Sequence, residues 1–154
     1  MANKKSDVNA KKVFRKELLE KKGFDTAEIV SFPSDIRATK DGETWYFEIK
    51  KTLRKDIYFG AATETEWAQA LKDPDHFRFV VVRTDEEETF FEFMEFTPKE
   101  FMRGCTIPPF KVYFDVNMMT CQMVDKTQSK RATIFTEERF NRLHKAYKVL
   151  KCIS

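Results

Sequence analysis

The chain contains two kinds of hydrophobic pattern. In some segments hydrophobic residues recur at helical spacing, and in the short segments between them apolar and polar residues alternate. The helical spacing predicts helices at residues 8–22 and 63–72, a short helix from Pro98 and a final helix after Thr136. The remaining patterns predict strands at residues 29–32, 35–40, 43–52, 77–83, 89–96, 111–116 and 119–124. This order predicts an α/β fold in which helices pack on a mostly antiparallel or mixed sheet.

Turn and capping signals support several of these boundaries. Asp41-Gly42, between two predicted strands, is typical of a two-residue hairpin turn. Thr63, with Glu66 three residues later, matches the capping box that opens a helix. Gly23 suits the position just after a helix, where a positive φ is common.

The predicted hairpin places two acidic residues opposite each other. If the turn consists of Asp41 and Gly42, Asp35 lies directly across from Glu48, with Cβ atoms about 5 Å apart. Because strand side chains alternate, Lys50 shares the face of Glu48. The pairing depends on loop length, since a three-residue loop would put the two acids on opposite faces, whereas a four-residue loop would keep them together.

Two facing carboxylates repel each other, and a divalent cation would reverse the sign of that interaction. Mg²⁺ and Mn²⁺ prefer carboxylate and water ligands, so Asp35 and Glu48 are candidate metal ligands. The metal would activate a water and offset charge on a phosphate, while Lys50 would orient that water, lower its pKa or stabilise the transition state. The alternative interpretation is an exposed sheet face with scattered charges.

Composition indicates a folded protein with a proper core. The 154 residues are 42% hydrophobic and include 16 Phe, 4 Tyr and 2 Trp, which excludes disorder over most of the chain. We expect one domain over residues 8–154 after a disordered tail at residues 1–7. No stretch approaches the ~18 apolar residues of a membrane span, and the N-terminus lacks a signal-peptide pattern, so we expect a cytoplasmic protein.

The charge distribution says more than the net charge of +3. Residues 1–55 carry a balance of +5, residues 56–100 carry −8 and residues 101–154 carry +6. Two basic segments around an acidic middle allow a basic face that would attract a polyanion. Charges dispersed over solvated faces are the alternative.

The order helix, strand, Asp35, turn, strand with Glu48-Ile49-Lys50, then helix resembles the PD-(D/E)XK nuclease superfamily. Residues 36–83 are similar to the small nuclease-like domain at the C-terminus of the plant protein NO VEIN and its bacterial relatives. The matching segments are Asp35-Ile36, Phe47-Glu48-Ile49-Lys50-Lys51-Thr52, Glu66-Trp67 with Ala70, and Phe79-Val80-Val81-Val82. The chain departs from the superfamily at Ser34, which replaces the Pro of the name, and at Lys51, where a small residue is usual.

The resemblance implies a restriction-endonuclease-like fold, with a central mixed sheet flanked by helices. It implies a Mg²⁺- or Mn²⁺-dependent endonuclease in which Asp35 and Glu48 hold the metal and Lys50 assists the attacking water. Families of this fold often add an acid from the first helix, for which Glu17 is the candidate.

Basic residues beside the predicted active site suggest how a nucleic acid would be held. Lys51, Arg54 and Lys55 follow the active strand and are candidate contacts to a DNA backbone. Cleavage of both strands would require a homodimer or a partner chain. Two alternatives stay open: a catalytically inactive nucleic-acid-binding module of the same fold, and a protein-interaction domain that uses the Phe-rich residues 90–101.

Overall fold

The computed structural model describes residues 5–106, 112, 114–128 and 135–153. Within these residues the helices are α1 (Lys5–Glu20), α2 (Glu64–Lys72), α3 (Pro98–Met102) and α4 (Glu137–Ile153). The strands are β1 (Thr26–Ile29), β2 (Ile36–Lys40), β3 (Glu43–Thr52), β4 (Phe77–Thr84), β5 (Phe91–Phe96), β6 (Val116–Asn117) and β7 (Gln122–Met123). The chain divides into two compact units, Met1–Thr106 and Ile107–Ser154. The predicted single domain over residues 8–154 stays a prediction.

Strands β1 to β5 form one sheet in the order β1-β2-β3-β4-β5. Strands β3 and β4 are parallel, and the other neighbouring pairs are antiparallel. Helix α2 makes the connection between the two parallel strands, as a parallel pair requires. The predicted α/β fold with a mixed sheet flanked by helices is confirmed, and it is consistent with a restriction-endonuclease-like fold.

Hydrophobic cores lie on both faces of this sheet. On one face, Phe14 and Leu18 of α1 pack against a cluster that includes Phe47, Ile49 and Val80. On the other face a second cluster contains Ala70 of α2 and Phe77 and Phe79 of β4, with Trp67 and Phe101 packed against it. Because strand side chains alternate, β3 and β4 supply residues to both clusters.

The hairpin register agrees with the sequence prediction. Ile36 pairs with Phe47 and Lys40 pairs with Glu43, so two residues form the turn. Asp41 has a φ of 53° and Gly42 a φ of 81°. Positive φ at both central positions is the geometry that matches the twist of a two-residue hairpin.

The capping predictions are also confirmed. The Thr63 side chain accepts a hydrogen bond from the Glu66 backbone, and the Glu66 carboxylate accepts one from the Thr63 backbone. Helix α3 has the same pair of hydrogen bonds between Thr97 and Glu100. Gly23, with a φ of 69°, follows α1 as expected.

Other boundaries differ from the prediction. Helix α1 begins at Lys5, within the segment expected to be a tail. The strand predicted at residues 29–32 is instead Thr26–Ile29, because pairing with β2 selects these residues. The apolar side chains that suggested the later position are exposed: Ile29 is 42% and Phe32 is 66% accessible. The interpretation of the Glu48 face as exposed is wrong, since α2 covers that face and leaves Glu48 7% accessible.

The second unit contains the β6–β7 hairpin and α4. The predicted strands at 111–116 and 119–124 are reduced to two paired residues each, and residues 111 and 113 lie outside the described residues. Thr136 caps the last helix as predicted, because its side chain accepts a hydrogen bond from Arg139 N at 3.2 Å. In the described part of the chain, no helix is both long enough and apolar enough to cross a membrane.

Candidate active site

Asp35 and Glu48 occupy facing positions at the open end of the β2–β3 hairpin. The ladder pairs Ile36 with Phe47, so the next step outward brings Asp35 to Glu48. The Asp35 backbone N donates to the Phe47 carbonyl at 3.1 Å. Its side-chain Oδ2 accepts the Ile49 N–H at 2.9 Å. This bond anchors the Asp35 carboxylate beside β3, so the hairpin register directly sets the position of the pair.

A cleft with a volume of about 510 Å³ opens at the carboxyl end of β3. Three of the predicted catalytic residues, Asp35, Glu48 and Lys50, line it. It takes side chains from both faces of the strand, and it is also lined by Lys11 of α1 and Glu66 of α2. Helices on opposite sides of the sheet therefore meet the carboxylate pair at this one place.

Lys50 is held between two carboxylates. Its Nζ lies 2.7 Å from Glu66 Oε2 and 3.2 Å from Glu48 Oε1. Burial works against the charged form of Lys50, but the hydrogen bonds and negative charges of Glu66 and Glu48 outweigh it and raise the pKa of Lys50 above its ordinary value. Lys50 is therefore an ammonium group at neutral pH, which can donate hydrogen bonds and stabilise negative charge but cannot accept a proton.

Glu48 has the most perturbed carboxyl group in the cleft. Burial, followed by the negative charges of Asp35 and Glu66, raises the pKa of Glu48 to about 7, although Lys50 opposes the shift. For Glu66, burial favours the neutral form, but hydrogen bonds from Lys50 and from the Thr63 backbone lower its pKa. Burial and the neighbouring carboxylates thus favour the neutral form of Glu48, and an added cation would favour its ionised form.

Lys11 contributes a charge to the cleft that sequence reasoning missed. Its ammonium group forms an ion pair with Asp35 Oδ1. The signal was present in the helix pattern, because Lys11 lies three residues before Phe14 and seven before Leu18, on the helix face that packs against the sheet. Asp7, one turn earlier on the same face, also lines the cleft.

Glu17, the acid expected from the first helix, is placed differently. Its carboxylate pairs with Lys21 Nζ at 2.8 Å, one turn further along α1. Glu17 does not line the cleft that contains Asp35 and Glu48. The face of α1 that reaches the cleft carries Asp7 instead, since the spacing from Asp7 to Phe14 is two helical turns.

The three basic candidates for DNA contact have different surroundings. Lys51 lines the cleft, and its ammonium group pairs with Glu88, which also accepts a hydrogen bond from Asn9. Arg54 and Lys55 follow the strand in an exposed segment and form no ion pair with another described residue. Lys51 is therefore part of the cleft wall, whereas Arg54 and Lys55 extend from its rim.

The two carboxylates that line the cleft are donors of the chemical type that Mg²⁺ and Mn²⁺ prefer. Among the described residues, no group of three or more His, Cys, Asp or Glu side chains is arranged to hold a metal ion. Asp35 and Glu48 nevertheless offer two hard oxygen donors in one cleft, and their mutual repulsion favours a cation between them. Mg²⁺ commonly uses only one or two protein carboxylates and completes its coordination with water and substrate phosphate.

The departure from the superfamily motif at Ser34 does not open a gap beside the site. Ser34 is 5% accessible, and its Oγ donates to the Ile36 carbonyl at 3.0 Å. This bond satisfies the hydroxyl at the start of β2, directly next to Asp35. A small polar residue is thus accommodated where the motif name has Pro.

Comparison with known proteins gives one family. The model of the family described as Protein NO VEIN, C-terminal, matches residues 6–94. The match runs from α1 into β5 and includes the elements that carry Lys11, Asp35, Glu48, Lys50 and Glu66. Neither a curated protein nor a solved structure matches the chain.

Proposed function

The chain belongs to the NO VEIN C-terminal domain family, and from this premise and the geometry of the cleft we propose that it is a metal-dependent nuclease that hydrolyses DNA. The observation that carries the proposal is the meeting of Asp35, Glu48 and Lys50 in one cleft, with Lys50 Nζ 3.2 Å from Glu48 Oε1. A carboxylate pair with a neighbouring ammonium group is a set of residues suited to phosphodiester hydrolysis.

Asp35 and Glu48 would hold Mg²⁺ or Mn²⁺. The bound cation would supply positive charge to the phosphate and make water a better nucleophile. Burial of Glu48 and its closeness to Asp35 raise the pKa of Glu48 to about 7. The positive charge of a cation would offset both effects. Asp35 and Glu48 also form ion pairs with Lys11 and Lys50, so lysines offset part of the negative charge of the cleft.

Lys50 acts as a fixed hydrogen-bond donor in this proposal. Its raised pKa keeps the ammonium charged, so it orients the attacking water and stabilises the negative charge that develops on the phosphate. Glu66 and Glu48 hold the ammonium from two sides and restrict its position. Preorganised donors of this kind contribute more in a partly buried cleft than in open water.

The direct test is cleavage of supercoiled plasmid DNA in the presence of Mn²⁺ or Mg²⁺. We expect nicked product from the wild type and a loss of about 100-fold or more in rate for Lys50→Gln and for Glu48→Gln. Glu43→Gln is the matched control, because it neutralises an exposed acid at the opposite end of the same strand and should keep full activity. Intact plasmid with wild-type protein and both metals would count against the proposal.

The two alternatives predict other results. A catalytically inactive nucleic-acid-binding module would bind DNA with a steep salt dependence, would leave the plasmid intact and would ignore the metal. A protein-interaction domain would respond to neither ligand. Most of the aromatic side chains proposed for such a domain serve the core: Phe91 and Phe93 pack against the α1 cluster, and Phe101 stacks on Phe79 at 4.4 Å.

A further inference from the structure

The segment from Leu53 to Gly60, between β3 and α2, exposes large hydrophobic side chains at the rim of the cleft. We call it the rim segment. Phe59 is 93% and Ile57 is 85% accessible, and Leu53 is 48% accessible. Apart from the Arg54 N–H, which donates to Thr52 Oγ1, no backbone hydrogen bond joins this segment to another described residue. A phenyl ring so exposed contributes nothing to the core, and its loosely held backbone can adapt to a ligand.

The rim segment is connected to the candidate active site by two of its own side chains. Leu53 and Tyr58 line the same cleft as Glu48 and Lys50. The Tyr58 ring folds over Gly60, where a Cβ atom would lie 2.7 Å from the tyrosine Cζ and hydroxyl oxygen. Glycine at position 60 thus leaves the space in which Tyr58 sits beside the cleft, while Phe59 projects outward.

Basic charge accompanies the exposed aromatic rings. Arg54 and Lys55 are exposed, and Asp56 is the one acid of the rim segment. Lys51 lies two residues before the segment, in the cleft wall. Exposed aromatic rings next to cations are the combination that binds single-stranded nucleic acids, with bases stacked on the rings and phosphates near the cations.

We propose that the rim segment binds single-stranded nucleic acid, with a base stacked on Phe59 and backbone phosphates on Arg54 and Lys55. The inference rests on the proposed nuclease function and names its substrate form. In a duplex the base faces are covered by their neighbours, so an exposed phenyl ring gains a partner mainly where bases are unstacked. Contiguity with the cleft favours nucleic acid over a lipid surface, because Leu53 and Tyr58 of the same segment line the cleft that contains Lys50 and Lys51.

The test is fluorescence anisotropy of the full chain with a labelled oligothymidylate of about 20 nucleotides and with a labelled duplex of about 20 base pairs. EDTA is present so that no cleavage occurs. We expect tighter binding to the single strand and about a fivefold or greater loss for Phe59→Ser, since one stacked base is worth ~1–3 kcal/mol. Phe114→Ser, which removes a 71% accessible ring from the second unit, is the matched control and should bind normally.

The charge contribution is measured separately from stacking. Arg54→Gln with Lys55→Gln should reduce the slope of log K against log salt by about 1.4, because each phosphate contact to a single strand contributes ~0.7. Lys12→Gln with Lys16→Gln, two exposed lysines on α1, is the control that keeps the total charge equal. Equal slopes in the two double variants would overturn the phosphate contacts.

The outcomes separate this inference from the proposed function. Single-strand binding that depends on Phe59, without cleavage of either the plasmid or the single strand in Mn²⁺, supports the binding inference and sinks the nuclease proposal. Cleavage with unchanged strand affinity in Phe59→Ser sinks the inference and leaves the nuclease. Phe59-dependent sedimentation with vesicles of phosphatidylcholine and phosphatidylserine, without strand binding, would identify a membrane contact and overturn the inference.

Discussion

The Glu66 carboxylate accepts a hydrogen bond from Lys50 Nζ at 2.7 Å while it also closes the N-terminal cap of α2. The same oxygen, Oε2, accepts both hydrogen bonds. The Thr63 backbone N lies 3.0 Å from it. The start of the helix and the candidate catalytic lysine are therefore held by one side chain. Glu66 is a positioning residue in this arrangement, since it acts through Lys50.

Glu66→Gln should lower the cleavage rate strongly but the free energy of unfolding only slightly. Glutamine can still close a capping box, but the variant lacks the negative charge that raises the pKa of Lys50. We expect a loss of roughly tenfold or more in rate and a downward shift of the pH at which activity falls on the alkaline side. Plasmid cleavage measured from about pH 7 to about pH 11, a range that includes the ordinary lysine pKa of 10.5, measures both.

Glu100→Gln is the matched control for this prediction. Glu100 closes the capping box of α3 with Thr97 in the same way, but it has no contact with Lys50. The two variants should unfold at similar urea concentrations, and Glu100→Gln should retain the wild-type pH profile. Indistinguishable profiles for the two variants would show that Glu66 serves the helix cap alone.

A divalent metal should stabilise the protein through Asp35 and Glu48. A ligand that binds only the folded state adds about 2.7 kcal/mol at 100 times its Kd, which raises Tm by several degrees. Mn²⁺ and Mg²⁺ should therefore raise Tm in a thermal melt, and Glu48→Gln should remove the shift. Glu43→Gln should keep it, and a shift that survives in Glu48→Gln would place the metal elsewhere.

Lys11 should weaken metal binding, because its ammonium group occupies Asp35 Oδ1. Lys11→Gln removes a positive charge next to the expected cation, and we expect roughly threefold to tenfold tighter binding, or about 1 kcal/mol. Isothermal titration with Mn²⁺ measures the change. Lys12→Gln alters the exposed neighbouring position and should leave the affinity unchanged; a weaker affinity in Lys11→Gln would contradict the competition between the lysine and the metal.

The stability of the metal-free protein should fall as Glu48 ionises. The pKa of Glu48 is raised from an ordinary 4.5 to about 7, so the folded state binds the proton more tightly than the unfolded state. The resulting stabilisation is fully present below about pH 4.5 and is lost as the pH rises through 7. Glu48→Gln does not titrate, so the wild type should lose up to about 3 kcal/mol relative to this variant between pH 5 and pH 8.

Urea unfolding in EDTA at several pH values measures this difference, since the other carboxylates are common to both proteins. Added Mn²⁺ should reverse the loss in the wild type at about pH 8. A difference between the two proteins that stays constant with pH would mean that the Glu48 carboxyl group has an ordinary pKa.

Local chemistry explains why the hairpin could be predicted and its surroundings could not. Asp41 and Gly42 accept positive φ, so the sequence of the turn alone set the register that brings Asp35 to Glu48. The ion pair of Lys11 with Asp35 joins residues 24 positions apart and depends on how α1 docks. The burial of Glu48 likewise depends on α2, which alternation within one strand cannot reveal.

The position of β1 also depends on packing and pairing that the local sequence pattern does not show. The apolar residues Ile29 and Phe32 favoured a strand that includes residues 30–32, but pairing with β2 selects Thr26–Ile29. The hydrogen-bonding partner outweighed hydrophobicity, since Ala27 is the one buried side chain of this edge strand. Sequence patterns therefore located the hairpin of the candidate site better than the strand beside it.

The placement of Lys11 and Glu66 on helices from opposite layers has a consequence for how the protein tolerates change. Phe14 and Leu18 anchor the helix that brings one charge, and Ala70 anchors the helix that brings the other. A substitution that loosens either layer, even one remote from the cleft, would therefore shift Lys11 or Glu66 relative to Glu48. The charge balance around Glu48 therefore depends on the packing of two separate layers at the same time.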